Sequence, residues 1–450
     1  MMSQRGKINL IVFQTLIFSL LFALFGRLFY LQILDSDRYQ DAALSIQSRD
    51  IVTPAVRGAI TDINGNPLVV DLPGLVVFAD RSTLDKQSDK GTSVLSRLGN
   101  LFNLEYADIY QRTRLCGELP KDNRAGCWNG TRYQPIPLIG NVLQDLALKV
   151  LENSDLYPGI LVQSVPIRSY PSLAGENVAH VLGYVGAVTD EDLKNPEKNY
   201  YRNEVVGKSG LEVQYNEYLR GTPGVRTFLV NRKEVVTKES KNIKAVSGNN
   251  LITNIDSKLQ SAAESALESA INRARASGYR GDSGAAVVME IQTGRVLAMA
   301  SYPTYEPEIW QRGLTVKQAK DLFSEAKGVP ALSRPIQGLF APASTFKSVS
   351  VLAAAKAGYA LDARYNCPAT VEIGTRTFKN FGSEAVGRIP LDIGIAISCD
   401  SLWYQIAYDE WVRDGGLRPK SNPNDYFFNA AKAFEINKLT GIDLPSELSG

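Results

Sequence analysis

The chain has 450 residues, enough for two or three domains that each bury a proper core. Its 49 basic and 47 acidic side chains leave a net charge of +2, and no basic run rises above a mixed surface, which argues against nucleic acid as a partner. One histidine, His180, and no Cys-x-x-Cys or His-Cys cluster argue against a protein-held metal, and no cofactor is expected.

Residues 8–26 carry no charge and are mostly apolar, close to the ~20 residues that cross a bilayer. Arg5 and Lys7 precede them, so the positive-inside bias makes residues 1–7 a cytoplasmic tail, 8–27 a single transmembrane anchor, and the rest extracytoplasmic. A cleaved signal peptide would want a small-residue cleavage site, and Gly26-Arg27-Leu28-Phe29-Tyr30 offers none. Residues 28–50 read as a helical stalk, with Leu28, Leu31 and Leu34 at helical spacing.

Residues 51–245 alternate short apolar runs with turn signals and read as mixed α+β. Asp62-Ile63-Asn64-Gly65-Asn66-Pro67 precedes Leu68-Val69-Val70, and Gly221-Thr222-Pro223-Gly224 precedes a run from Arg226 to Val230. Cys116 and Cys127 flank a polar loop that a disulfide between them would staple, as an extracytoplasmic location permits. Asn129-Gly130-Thr131 reads as a surface turn, with glycosylation as its other meaning. Gly207-Lys208-Ser209 imitates the end of a phosphate loop, but Arg202 stands where that loop needs glycine.

Residues 246–450 form the third region. Leu251 to Asp256 resembles a domain-opening strand followed by a helix cap, and two apolar runs, Ala285–Glu290 and Val296–Ser301, are separated by Gln292-Thr293-Gly294 as in a strand-turn-strand unit. Helical segments follow, so an antiparallel sheet packed with helices is the simplest architecture. Cys367 and Cys399 read as small buried side chains, and Asp400 beside Cys399 disfavours a reactive thiolate.

Ser344 and Lys347 are the leading candidates for chemistry. With so little histidine, a serine nucleophile needs another base, and residues three apart share one face of a helix. Pro342 suits a helix start, and the apolar run Val349 to Ala355 suits a buried helix ending at Gly358, which would put Ser344 at the positive end of the dipole. The spacing alone is weak: about one or two Ser-x-x-Lys are expected by chance in a chain this long. Ser324 and Lys327 form another, among Lys320, Asp321 and Glu325, and read as a solvated helix face. Ser398-Cys399-Asp400 supplies a Ser-x-Asp downstream of Ser344, and Ser-x-x-Lys followed by Ser-x-Asn/Asp is the grammar of penicillin-interacting serine enzymes. Glu290, Glu306 and Glu308 read as strand ends and loops rather than a glycosidase pair.

Around these motifs the chain resembles a class B penicillin-binding protein over nearly its whole length. The resemblance is carried by Arg57 to Asp62 with Gly65; Arg168, Tyr170 and Pro171; Ala179 to Gly186; Gly207 to Glu212; Leu219-Arg220-Gly221; Asp256 with Leu259-Gln260; Gly294 with Val296 to Ala298; and Ser301-Tyr302-Pro303. The elongation-type branch, which works with a polymerase of the SEDS family, is matched by His180 to Tyr184, Thr189 to Leu193 and Tyr404 to Asp409. The division-type transpeptidase is the nearest competitor.

This resemblance implies an α+β fold: a membrane helix, an elongated pedestal or dimerisation domain at 51–245, which admits a homodimer, and a transpeptidase domain at 246–450. It implies attack by Ser344 on a peptidoglycan stem peptide ending in D-Ala-D-Ala, release of D-Ala, transfer to a neighbouring stem amine, and acylation by β-lactams. Lys347 would be the base, which requires a neutral amine with a pKa well below about 10.4, lowered by burial and a second cation. Ser398 would relay the proton, and Asp400 would hold Ser398 or the substrate. His180 reads on its own sequence context as structural, since a base, acid or ligand needs partners that it lacks.

Two departures from the family stand out. Ala343 precedes the nucleophile where the family commonly has glycine, a minor change if that residue has ordinary φ. No Lys-Thr-Gly or Lys-Ser-Gly follows Ser398, and Gly441 to Pro445 resembles a stretch that the family places before that third motif. The expectation is therefore a C-terminally truncated, nearly inactive chain, since loss of an oxyanion donor costs about a hundred- to a thousandfold. If Gly450 is instead the natural C-terminus, a non-catalytic envelope scaffold is the alternative.

Overall fold

A computed structural model describes residues 4–34, 48–120, 126–128, 135–201, 204–230, 236–310, 314 and 316–450. Most of the stalk expected over 28–50 and the Asn129 acceptor motif lie outside these. Helix α1 (Gln4–Phe29) passes into a π-helical turn, Tyr30–Leu34. Its 26 residues rise about 39 Å, more than the ~30 Å hydrocarbon core of a bilayer. The stretch Thr15–Leu34 has a mean hydropathy of 1.9, and Phe18 and Phe22 stand exposed, so the helix fits a single-pass membrane anchor.

Beyond it, the second region of the chain is built on the long strand β3. Strands β1 (Ser48–Thr53), β2 (Ile60–Thr61) and β3 (Pro67–Ala79) are followed by α2 (Thr92–Phe102), α3 (Tyr106–Thr113), β4 (Ile136–Ile139), α4 (Gln144–Glu152) and β5 (Ile160–Ser169). β5 pairs antiparallel with β3 in unbroken register from Val70 opposite Ser169 to Ala79 opposite Ile160, and β4 borders the end of β3. Leu95, Leu98, Ile109, Ile136, Leu138 and Val150 fill the space between this sheet and the three helices. Each such side chain contributes about 1.5–3 kcal/mol by leaving water. A Cys116–Cys127 disulfide closes the loop after α3.

Further elements of the region include the two-stranded β6 (Val185–Ala187) and β7 (Val205–Gly207), helix α5 (Gly210–Gln214), and strands β8 (Gly224–Val230) and β9 (Val236–Ile243), the last two forming a three-stranded sheet with β1. Charged side chains tie the loop before β2, strand β3, strand β5 and helix α5 together from within. Glu212, fully buried, accepts from Arg57 Nε at 2.6 Å and Arg168 Nε at 2.7 Å. Arg168 Nη1 also reaches Asp71 at 3.0 Å, and Arg57 Nη1 reaches Asn216 at 3.0 Å. Several residues that carry the family resemblance are thus members of one buried ion network. Gly58 beside it admits no side chain, because a Cβ there would lie 1.8 Å from the Asn249 carbonyl oxygen.

The third region shares a sheet and a core with the second. Strand β10 (Leu251–Ile252), expected to open a new domain, pairs in parallel with β2 and so extends the sheet of the second region. Helix α6 (Ser257–Ala276) follows, capped by Asp256, whose side chain accepts from Leu259 N–H at 3.0 Å. Asp62, on the turn after β2, accepts from Ser257 Oγ at 2.8 Å. The antiparallel hairpin of β11 (Gly284–Met289) and β12 (Val296–Tyr302) packs on α6, where the Gln260 amide takes the place of a strand for Met299: N–H to Oε1 at 2.7 Å, Nε2 to carbonyl at 3.0 Å. Ile60, Leu182, Leu219, Ile255, Met299 and Leu444 belong to one core that spans both regions.

The last part is helical with small sheets. Helix α7 (Lys347–Lys356) is followed by β13 (Tyr365–Cys367), the hairpin β14 (Thr370–Ile373) and β15 (Arg376–Lys379), β16 (Gly387–Ile389), α8 (Leu391–Ala396), α9 (Asp400–Arg413) and α10 (Tyr426–Ala433). β13 pairs with β16. Ala354, Leu391, Leu402, Trp403 and Ile406 form the core on which these helices meet.

Candidate active site

The Ser344 segment is a tight turn that becomes a helix. Residues Ala343–Phe346 make one 3-10 turn and α7 begins at Lys347, so Ser344 sits one turn ahead of the α-helix rather than within it. Ser344 is exposed while Lys347 is buried, as are Val349, Ala353 and Ala354 behind it. The condition under which alanine would be a minor change at position 343 is not met: the φ of Ala343 is +48°, in the left-handed region where a Cβ is strained and glycine is free.

The second motif lies between two helices. α8 ends, Ser398 turns the chain with φ of +56°, Cys399 is the N-cap of α9, and Asp400 is that helix's first residue. This brings together the four residues singled out by spacing. Ser344 Oγ lies 2.9 Å from Ser398 Oγ and 3.2 Å from Lys347 Nζ, and Lys347 Nζ lies 2.7 Å from Ser398 Oγ and 2.9 Å from the Ser398 carbonyl oxygen. Asp400 Oδ1 is also paired with Lys347 Nζ. The second cation expected near the lysine is therefore corrected: the charged neighbour here is a carboxylate.

Four oxygens surround the Lys347 nitrogen, one more than an ammonium group has hydrogens. With three hydrogens for four acceptors, an ammonium there shares one hydrogen between two of these oxygens.

The other Ser-x-x-Lys is different. Lys327 is exposed and pairs with Asp321 at 2.8 Å, beside a single 3-10 turn at Glu325–Lys327. His180 Nε2 meets the Pro330 carbonyl oxygen at 2.7 Å, and its ring stands edge-on to Tyr305. Burial, together with the charge of Arg334, holds it down to about 4 against the favourable bond to Pro330, so it is a neutral link between the two regions.

Sequence reasoning missed two things near the motif. Cys367 and Cys399 are not separate packing residues but form a disulfide, joining β13 to the N-cap of α9. The even cysteine count of a chain expected outside the cytoplasm was the available signal. Asn380, buried beside that disulfide, had no spacing signal at all.

Comparison with known proteins agrees with this architecture. Residues 52–253 match the penicillin-binding protein dimerisation domain and residues 284–450 match the penicillin-binding protein transpeptidase domain. The chain belongs to the penicillin-binding proteins. It is 28% identical over 438 residues to the peptidoglycan D,D-transpeptidase MrdA of Haemophilus influenzae, covering 94% of this chain and 61% of that protein. It is 27% identical over 441 residues to MrdA of Escherichia coli K12, covering 95% and 62%. This penicillin-binding protein chain thus spans about three-fifths of the length of these curated relatives.

Among solved structures, the penicillin-binding protein PBP2 of Helicobacter pylori, in complex with MreC, has the same fold. It superposes with a TM-score of 0.67 at 22% identity, covering 90% of this chain and 68% of that one. A chain from a peptidoglycan synthase complex, described for its coordination of polymerization and crosslinking, superposes with a TM-score of 0.59 at 27% identity, covering 98% and 70%.

Proposed function

We propose that this penicillin-binding protein is a serine D,D-transpeptidase that cross-links peptidoglycan. The observation that carries the reading is the closed triangle of Ser344 Oγ, Lys347 Nζ and Ser398 Oγ, with sides of 3.2, 2.7 and 2.9 Å. All three sides are within reach of direct proton transfer or one small adjustment.

In the first half-reaction, Ser344 Oγ attacks the carbonyl carbon of the penultimate D-Ala of a stem peptide while its proton passes to the Lys347 amine. Collapse of the tetrahedral intermediate breaks the bond to the terminal D-Ala, whose nitrogen takes a proton relayed through Ser398. In the second half, an amine on a neighbouring stem attacks the acyl-serine, gives up a proton along the same path, and regenerates Ser344. Splitting the transfer in this way replaces one difficult displacement by two easier ones. Asp400 orients Lys347 through the direct contact of its carboxylate with Nζ, and β-lactams acylate Ser344 because they present a strained amide in the same place.

We further propose residues 51–245 as a pedestal and 246–450 as the catalytic unit, with the N-terminus cytoplasmic and the bulk outside the membrane. On the motifs that resemble the elongation-type branch, the role is cell-wall elongation, with a SEDS-family polymerase and elongation-complex membrane proteins as partners. MrdA is the name carried by the relatives above, and a solved relative is bound to MreC. Depleting the protein tests this role: elongation predicts rounded cells, and filaments would assign it to division. Labelling of the full-length protein by a fluorescent penicillin tests the chemistry.

A further inference from the structure

Ser398 is held in a backbone conformation that a serine does not choose. Its φ of +56° lies in the left-handed region, and a non-glycine residue stays there only where its surroundings over-determine it. The covalent part of that restraint is the Cys367–Cys399 disulfide, with Cys367 and Cys399 both buried. The rest converges on one side chain.

Asn380, 7% exposed, follows β15 and uses both ends of its amide. Oδ1 accepts from the backbone N–H of Ser401 at 2.9 Å, in the first turn of α9. Nδ2 faces the carbonyl oxygens of Pro368 at 3.0 Å and Glu384 at 3.1 Å, and Cys367 Sγ at 3.2 Å. The partners fix the amide's orientation, since an N–H stands on one side and two carbonyls on the other. Ser401 Oγ donates to the same Pro368 carbonyl at 2.6 Å. One buried amide therefore joins the loop after β13, the turn after β15 and the start of the helix whose first residue is Asp400.

We propose that Asn380 is a positioning residue for the Ser398-x-Asp400 motif. Together with the disulfide and Ser401 it forms a collar that sets where Ser398 Oγ and Asp400 stand relative to Lys347. It touches none of the reacting atoms and acts through Ser401 N–H. The proposal rests on the transpeptidase reading given above. A misplacement of about 1 Å at reacting groups can cost a hundredfold in rate, so the collar is where a conservative change far from the nucleophile reaches the chemistry.

The test is the kinetics of acylation of the full-length protein by a fluorescent penicillin, separating the rate constant from the fraction of molecules that react. Asn380→Ala is expected to lower the acylation rate constant about ten- to a hundredfold and to alter its pH profile, while the reacting fraction stays near that of the parent. Ser401→Ala, a milder change that keeps the backbone N–H, is expected to lower the rate constant by a smaller factor, and it carries the test if Asn380→Ala does not fold. A reduced reacting fraction with an unchanged rate constant and pH profile would mean that the collar serves stability alone and would overturn the proposal. Parent protein that is not acylated at all would instead strike at the transpeptidase reading.

Discussion

Lys347 Nζ lies 2.7 Å from Ser398 Oγ although 51 residues separate them in the chain. The contact joins the first turn of one helix to the loop that opens another, and it turns a chance-level spacing into a candidate proton path. Replacing Lys347 by Met keeps most of the buried stem and removes the amine. Acylation by penicillin is expected to fall about a hundred- to ten-thousandfold, with folding preserved by circular dichroism. An acylation rate within threefold of the parent would exclude Lys347 as the base.

Ala343 stands at a φ of +48°, where glycine is relaxed and alanine is not. Ala343→Gly should relieve this strain, partly offset by the greater entropy of glycine in the unfolded chain, for a net gain of up to about 1 kcal/mol. Chemical denaturation checks the sign. A loss of more than about 1 kcal/mol would show that the alanine methyl makes a contact worth more than the strain it carries.

Four of the residues that bear the candidate chemistry were legible because two short motifs fix residue types at fixed separations. What stayed illegible is what spacing does not encode. The left-handed backbone at Ala343 and Ser398 depends on how two helices are joined. The Cys367–Cys399 pairing depends on a fold that brings residues 32 apart into register. β10 looked like the first strand of a new domain because its two-residue pairing with β2 is parallel and nonlocal, and nothing in Leu251-Ile252 announces its partner. The Arg57, Arg168 and Glu212 motifs were visible as resemblance, and their physical meaning, a buried ion network, emerged only from packing.

That network sets the next expectation. Glu212→Ala would leave Arg57 and Arg168 buried with Asp71 as their remaining carboxylate, and breaking a buried pair from one side costs about 3–5 kcal/mol. Urea unfolding of the variant should show a loss of that size. A loss under about 1 kcal/mol would mean that the network is solvated and of little energetic weight.

His180 makes stability depend on pH. Its folded pKa, pushed by burial to about 4, lies below its usual 6.5, so the unfolded chain binds a proton that the folded chain refuses. Stability from this residue is complete above about pH 6.5, is lost as pH falls toward 4, and amounts to about 3 kcal/mol over that window. His180→Gln should flatten the denaturation midpoint between those limits. An unchanged slope would assign the pH dependence to other groups.

Ser344, and not Ser324 in the same spacing, is the serine expected to form the acyl-enzyme. The direct measurement is covalent labelling of the full-length protein by a fluorescent penicillin, with the modified peptide located by mass spectrometry. A single adduct on Ser344 is expected, abolished in Ser344→Ala and unaffected in Ser324→Ala. Undiminished labelling of Ser344→Ala, or an adduct on Ser324, would contradict it.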